Sequence, residues 1–393
     1  MKIKVAVMFG GKSVEHEVSV ISGIQAIQNI DKDKYEIIPI YLTKENLMYI
    51  GNAVADINEY KDIKALLKKS QQVIMLNENG SVKLLEYPFK RFGKSSSVDL
   101  DVVFPIVHGT NVEDGALQGY LKTIGVSFVG SDVTASALGM DKYLTKVILK
   151  ENEIPVLDAS IYTLVDYKNI DKIVSSVESL FNYPVIVKPV NLGSSVGISV
   201  AKNADDLLES IDSAFLYATK ILVEPAVVNL REINCAVFGD FKEAIASECE
   251  EPMHTEDILS YEDKYVSNAK GGKSKGMASV SRKIPADISE EMRCEIREMA
   301  IKSFKALGCS GVARIDFLLD GDTNKVYFNE INTIPGSLSF YLWEPIGIEY
   351  SELLDRMIQL AIKRKLSDTQ ITYTFNTNLL SDAKLGGVKG SKV

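Results

Sequence analysis

Arg314-Ile315-Asp316 and Phe328-Asn329-Glu330-Ile331-Asn332 carry the densest chemistry in the sequence. Asp316 and Glu330 each follow a short apolar run, at 312–315 and 325–328. If these runs are neighbouring antiparallel strands, their carboxylates stand side by side. Glu330 and Asn332 are two residues apart and so share one strand face. Two carboxylates and an amide oxygen suit Mg²⁺, a hard cation that completes its octahedron with phosphate oxygens and water. Mn²⁺ accepts the same class of ligand. Without a metal, close carboxylates repel and one tends to hold a proton. On spacing alone, the same residues read equally well as solvated acids at strand ends.

Lys188 ends another apolar run and leads into Pro189-Val190-Asn191-Leu192-Gly193-Ser194-Ser195-Val196-Gly197. Small residues after a strand offer backbone N–H groups to a triphosphate while the lysine meets its charge, and such a loop can close over the ligand. The order GxxxxGK[ST] of a P-loop is missing, as is GxGxxG. A plain hairpin turn therefore stays open. Lys142 follows Leu138-Gly139-Met140-Asp141 at a candidate domain junction. Glu224 ends a run at 221–224, and Glu232 lies eight residues on. Both are acids able to read adenine and ribose hydroxyls, or simply surface acids.

The elements that must position these groups show in the apolar periodicity. Residues 3–9 read as a buried strand ending at Gly10-Gly11, 19–27 as a helix and 35–41 as a second strand. Residues 44–98 are charged and less periodic, an elaboration on that βαβ start. A strand at 102–107 ends at His108-Gly109. This is an open α/β sheet, whose ligands belong beyond the strand carboxyl ends, where the loops 10–18 and 108–115 fall. A helix at about 141–151 leads out of it. Runs at 183–188, 197–201 and 221–224 read as strands. From 231 to 366, strands alternate with one clear amphipathic helix, 288–307. The expected division is 1–138, 139–225 and 226–366, with 367–393 a polar, mobile end.

A chain of 393 residues can hold two to three domains, each with its own core. The net charge of -9 argues against a nucleic-acid partner, although a basic cleft can sit on an acidic body. Four cysteines without CxxC spacing and three histidines make neither a zinc site nor a disulfide framework. No apolar run reaches the ~20 residues of a membrane helix. The N-terminus lacks a signal-peptide pattern. The expected location is the cytoplasm, with no membrane partner.

Taken together, these pieces stand in the order found in the D-alanine–D-alanine ligases of the ATP-grasp superfamily, which the sequence resembles from residue 3 to about 362. The resemblance rests also on Phe9-Gly-Gly-Lys-Ser-Val-Glu15-His-Glu17-Val18-Ser19, His108-Gly109 with Glu113-Asp114-Gly115-Ala-Leu-Gln118-Gly119, Tyr261-Glu-Asp-Lys264-Tyr265, and Asn332-Thr-Ile-Pro335-Gly336. It implies an ATP-grasp fold (139–225 and 226–366) preceded by an open α/β, Rossmann-like substrate domain (1–138). It implies Lys142 and Lys188 on the phosphates of ATP, with Ser195 and Lys264 also at the nucleotide. Glu224 and Glu232 would meet adenine and ribose, and the backbone of Pro225, Ala226 and Val227 the adenine edge. Asp316, Glu330 and Asn332 would hold two Mg²⁺. Glu15 would bind the ammonium of the first D-alanine, with Val18 beside its methyl group and His108 near its carboxylate. Ser194 and Tyr265 would link to Glu15 and close a loop over the site. Arg314 and the Gly336 N–H would stabilise the tetrahedral intermediate. The implied reaction joins two D-alanines through a D-alanyl phosphate, for peptidoglycan precursor synthesis. A homodimer is implied by the resemblance alone.

One segment departs from the pattern: Gly336-Ser337-Leu338-Ser339-Phe340-Tyr341-Leu342-Trp343. Members of the family typically carry a small hydroxyl residue before the leucine, where the carboxylate of the second substrate is held. Here Tyr341 precedes Leu342, so a D-alanine–D-serine ligase of the vancomycin-resistance type stays open. Tyr265 argues against the D-lactate ester, since ligases that make it tend to lose this tyrosine. A nucleotide-binding regulator without catalysis would be expected to lack Arg314, Asp316, Glu330 or Asn332, and all four are present. The loop 269–276 is also more basic than the resemblance leads one to expect.

Overall fold

A computed structural model describes residues 2–90, 95–194, 196–253 and 282–372. Ser195, Lys264, Tyr265, the loop 269–276 and the tail from 373 onward lie outside the described residues.

The strand Ile3–Gly10 is buried from Val5 onward because parallel neighbours, Tyr35–Leu42 and Val102–Ile106, flank it on both sides. The helix His16–Asn29 covers this half of the sheet, sending Val20, Ile24 and Ile27 into the core. Ser127–Phe128 closes the parallel half beyond Val102–Ile106. Residues 44–98 are more than a decoration. They extend the same sheet as four antiparallel strands, Met48–Ile50, Gln71–Glu78, Ser81–Glu86 and Ser97–Leu100. Their period-two alternation is blurred because the less covered face is apolar too: in Gln71–Glu78, half-buried Ile74 and Leu76 interleave with buried Val73 and Met75.

The second sheet is antiparallel, in the order Ser199–Ala201, Val185–Pro189, Lys220–Pro225, Ser160–Thr163. The third is antiparallel too, in the order Arg282–Lys283, Ala244–Pro252, Leu230–Gly239, Gly311–Asp320, Val326–Asn332. The helix Glu290–Ala306, capped by the Ser289 hydroxyl on the Met292 N–H, lays Ile296, Ala300 and Phe304 on this sheet. Two details differ from the sequence reading. The strands around Asp316 and Glu330 run through these acids instead of ending before them. A second amphipathic helix, Tyr350–Asp368, follows the third sheet and buries Leu353, Leu354, Met357, Ile358 and Ala361 in the core of the first. That spacing is itself helical, so the signal lay in the sequence. Among the described residues, no helix is long and apolar enough to cross a membrane.

Candidate active site

Three sheets turn their functional ends toward one cleft. Pairing across the third sheet sets Asp316 opposite Glu330 and Arg314 opposite Asn332, with a bulge immediately after Asp316. On the other side of the Gly311–Asp320 strand, Asn234 pairs with Asp316. Arg314 and Asp316 are two apart on one strand, so the guanidinium reaches the carboxylate along the same face, at 2.6 and 2.7 Å. The Asn332 amide donates to Asp316 at 3.1 Å. Burial raises the Asp316 carboxyl to about 6; Arg314 works in the opposite direction, while Glu330 and Glu232 add to the rise. Carboxylates facing each other in a partly buried row, with an amide oxygen beside them, are a donor set that a divalent cation fits and relieves.

Lys142 begins its helix, Lys142–Glu151, because Asp141 caps it through the Tyr143 and Leu144 N–H groups. A cation at a helix N-terminus opposes the helix dipole. Here that is offset by Glu330 at 3.2 Å and by the Leu192 carbonyl at 2.8 Å. Lys188 donates to the Asn329 amide oxygen at 3.0 Å and pairs with Glu224 at 2.5 Å. Glu224 is fully buried, and Lys146 meets its other oxygen at 2.7 Å. Burial alone would raise this carboxyl; Lys188 and Lys146 overcome it and hold it near 2. Glu224 therefore stands as the counter-ion of two lysines. Lys146 lies one helical turn beyond Lys142, a signal the sequence reading passed over.

Glu15 occupies the N-cap position of the helix His16–Asn29, where the helix dipole favours an anion. The Ser194 hydroxyl, on the loop after Lys188, donates to it. Gly109 also backs Glu15: a Cβ built there would stand 2.7 Å from the carboxylate, and its φ of +83 suits only glycine well. His108 is buried, its Nδ1–H donating to the Ile334 carbonyl at 2.8 Å. Its Nε2 then accepts from the Ser22 hydroxyl at 3.1 Å. Burial depresses the imidazole to about 4, so the ring is neutral at pH 7. The neighbouring Glu113 accepts from Gly109 N–H, Ile334 N–H and the Thr333 hydroxyl, at 3.0, 2.8 and 3.2 Å. These bonds tie the first domain to the loop after the carboxylate row.

The His108 shift carries a pH prediction. A histidine depressed in the folded state destabilises that state once the unfolded chain begins to take up the proton. Stability should fall as pH drops from 6.5 toward 4, by at most about 3 kcal/mol from this residue. Urea unfolding of the parent and of His108→Gln at pH 7 and pH 4.5 measures it; an unchanged pH dependence in the variant refutes the assignment.

Residues 148–359 match the family model described as the D-ala D-ala ligase C-terminus, and residues 4–131 that of the N-terminus. The chain belongs to the D-alanine–D-alanine ligase family. It is 42% identical over 384 residues to the D-alanine–D-alanine ligase of Caldicellulosiruptor bescii, covering 95% of this chain and 99% of that one. D-alanine–D-alanine ligase B of Clostridium tetani is 41% identical over 373 residues, covering 93% and 95% of the two chains. Among solved structures, the ligase from Coxiella burnetii aligns with a TM-score of 0.77 and 30% identity over 94% of this chain and 96% of its own. The VanG D-Ala:D-Ser ligase from Enterococcus faecalis aligns with a TM-score of 0.75 and 31% identity over 92% and 100%.

In this ATP-dependent ligase, Glu15, Val18, His108 and Lys142 line the cleft, and so do Glu232, Arg314, Glu330, Asn332 and Gly336. Lys188, Glu224 and Asp316 stand buried behind that lining. Pro225, Ala226 and Val227 are half-buried, and the Ala226 N–H donates to the Pro184 carbonyl at 3.0 Å. Tyr341 and Leu342 are buried and lie outside the cleft lining; Leu342 belongs to the core shared with the first sheet. The segment around them is unusual. Ser337, Leu338 and Ser339 all adopt positive φ, near 50, a costly conformation held by the Ser22 and Gln25 side chains on Ser337. Three polar lining residues escaped the sequence reading: Asn234, Glu250 and Arg282. Nothing in their local sequence marks them, since their meeting depends on strand register.

Proposed function

We propose that this ligase converts two D-alanines to D-alanyl-D-alanine, with ATP becoming ADP and phosphate; its relatives in Caldicellulosiruptor bescii and Clostridium tetani are named D-alanine–D-alanine ligases. The observation that carries the reading is the 3.2 Å pair between Lys142 and Glu330, which joins a phosphate-type lysine to the carboxylate row inside the cleft that Glu15 enters. The roles follow from charge. Glu15 receives the ammonium of the first D-alanine, Val18 packs beside its methyl group, and neutral His108 stands near its carboxylate. That carboxylate attacks the γ-phosphorus of ATP, the bond to ADP breaks, and an acyl phosphate forms. Lys142 and Lys188 meet the phosphate charge; Glu232 and the Pro225–Val227 backbone meet ribose and adenine. Two Mg²⁺ held by Asp316, Glu330 and Asn332 would neutralise charge between carboxylate and phosphate. The deprotonated amine of the second D-alanine attacks the acyl carbon, phosphate leaves, and Arg314 with the Gly336 N–H meets the oxyanion. Ser194 on Glu15 holds the loop that keeps water from the acyl phosphate.

We further place the enzyme in the cytoplasm as a homodimer serving peptidoglycan precursor synthesis. A D-serine acceptor is the second reading, favoured by Tyr341 at the position where the family pattern breaks. Phosphate release from ATP and Mg²⁺, screened over pairs of D-amino acids, tests both. Release with D-alanine alone is expected. Release only with D-alanine plus D-serine selects the second reading, and none with any pair defeats both.

A further inference from the structure

Among the described residues, three cations line the cleft: Lys142, Arg282 and Arg314. Each is paired with an acid: Lys142 with Glu330, Arg314 with both Asp316 oxygens at the reaction centre, and Arg282 with Glu250. The acceptor amino acid must bring a carboxylate into this same cleft, and a carboxylate leaving water needs hydrogen-bond donors or a cation to meet it. Tyr341 stands where a hydroxyl was expected to meet it, but the Tyr341 O–H donates to Glu250 at 3.1 Å, and its ring is buried behind the wall.

Arg282 is built in with unusual care. It lies at the start of the short strand Arg282–Lys283, paired in register with Pro252. Its guanidinium lies 4.0 Å over the Tyr341 ring, a cation–π contact that fixes its plane. Glu250 meets it at 3.0 Å. Glu250 also accepts from the Asn234 side-chain amide at 3.3 Å, and among the described residues the Asn234 Oδ1 is buried without a hydrogen-bond partner. Arg282 and Arg314 line the same cleft. A guanidinium carries five donors in one plane and can bridge a protein carboxylate and a substrate carboxylate.

We propose that Arg282, oriented by Glu250 and stacked on Tyr341, is the specificity residue that receives the carboxylate of the second amino acid. The bulky Tyr341 then serves as the platform of a cation. This rests on the ligase reading above, and the test separates the two. D-alaninamide keeps the amine of D-alanine and lacks the carboxylate, so it can act only as acceptor. Wild-type enzyme is given ATP, Mg²⁺, D-alanine and D-alaninamide together, and the two dipeptide products are quantified by mass. Their ratio reports acceptor choice, independent of total turnover.

The wild type is expected to favour D-alanine by about 100-fold, and Arg282→Ala to reduce this to under about 10-fold, the range of a lost charge-assisted hydrogen bond. Arg282→Lys, which keeps the charge and loses the plane, should restore part of the preference. If Arg282→Ala does not fold, Arg282→Gln decides by the same ratio. A wild-type ratio in the neutral variant overturns the role of Arg282. Formation of neither product by the wild type overturns the ligase reading instead.

Discussion

Arg314→Ala is expected to lower kcat by about 10²–10³-fold, the usual consequence of losing one preorganised donor to an oxyanion. Two effects add in this variant. The oxyanion loses its guanidinium, and Asp316 loses the partner that holds it at 2.6 and 2.7 Å. Asp316 is 2% exposed and already raised by burial, so without Arg314 it holds its proton more firmly and binds a cation less well. Steady-state phosphate release, measured over a Mg²⁺ titration, separates the two. A deficit that Mg²⁺ relieves belongs to Asp316, and one that persists at saturation belongs to the oxyanion. Turnover within a few-fold of the parent would sink the assignment of Arg314. Arg314→Lys restores charge without the two-pronged geometry and should recover little.

The second large effect concerns stability. Glu224→Ala should destabilise the fold by about 3–5 kcal/mol, because it leaves Lys188 and Lys146 buried beside each other without their anion. Both lysine side chains are less than a tenth exposed, so water cannot replace the carboxylate. Chemical denaturation of the variant measures the loss. The acid limb offers an independent check. A carboxyl held near 2 contributes stability that is complete above its ordinary value of 4.5 and is lost as pH falls toward 2. The parent should therefore show a stability decline across that window that the alanine variant lacks. If Glu224→Ala unfolds within about 1 kcal/mol of the parent, the triad is not the internal support proposed here. A polyphosphate that binds Lys188 should partly stabilise the variant, since it supplies the missing negative charge.

The sequence by itself determined which groups would meet around the third sheet. Strand periodicity is two, so Glu330 and Asn332 must share a face, and so must Arg314 and Asp316. The first βαβ unit was equally legible, since strands buried on both faces are continuous apolar runs bounded by glycine. The helix Tyr350–Asp368 was also written in its spacing. The strands of 44–98 were hidden because apolar residues such as Ile74 and Leu76 also occupy their less covered face and the shortest strand has three residues.

What local pattern cannot encode is register and long-range electrostatics. Glu224 ends an apolar strand in either setting; only the folding of the Lys142–Glu151 helix against the second sheet makes it a buried counter-ion. Likewise, Tyr341 marks a departure in the sequence but states no purpose. Its hydroxyl meets Glu250 from 91 positions away. Arg282 lies 32 positions beyond Glu250, across paired strands. The reaction class is thus a property of short motifs whose geometry follows from strand period. The acceptor wall is decided by the tertiary structure, because a charge's partner in a buried cleft is chosen by packing and not by neighbourhood in the chain.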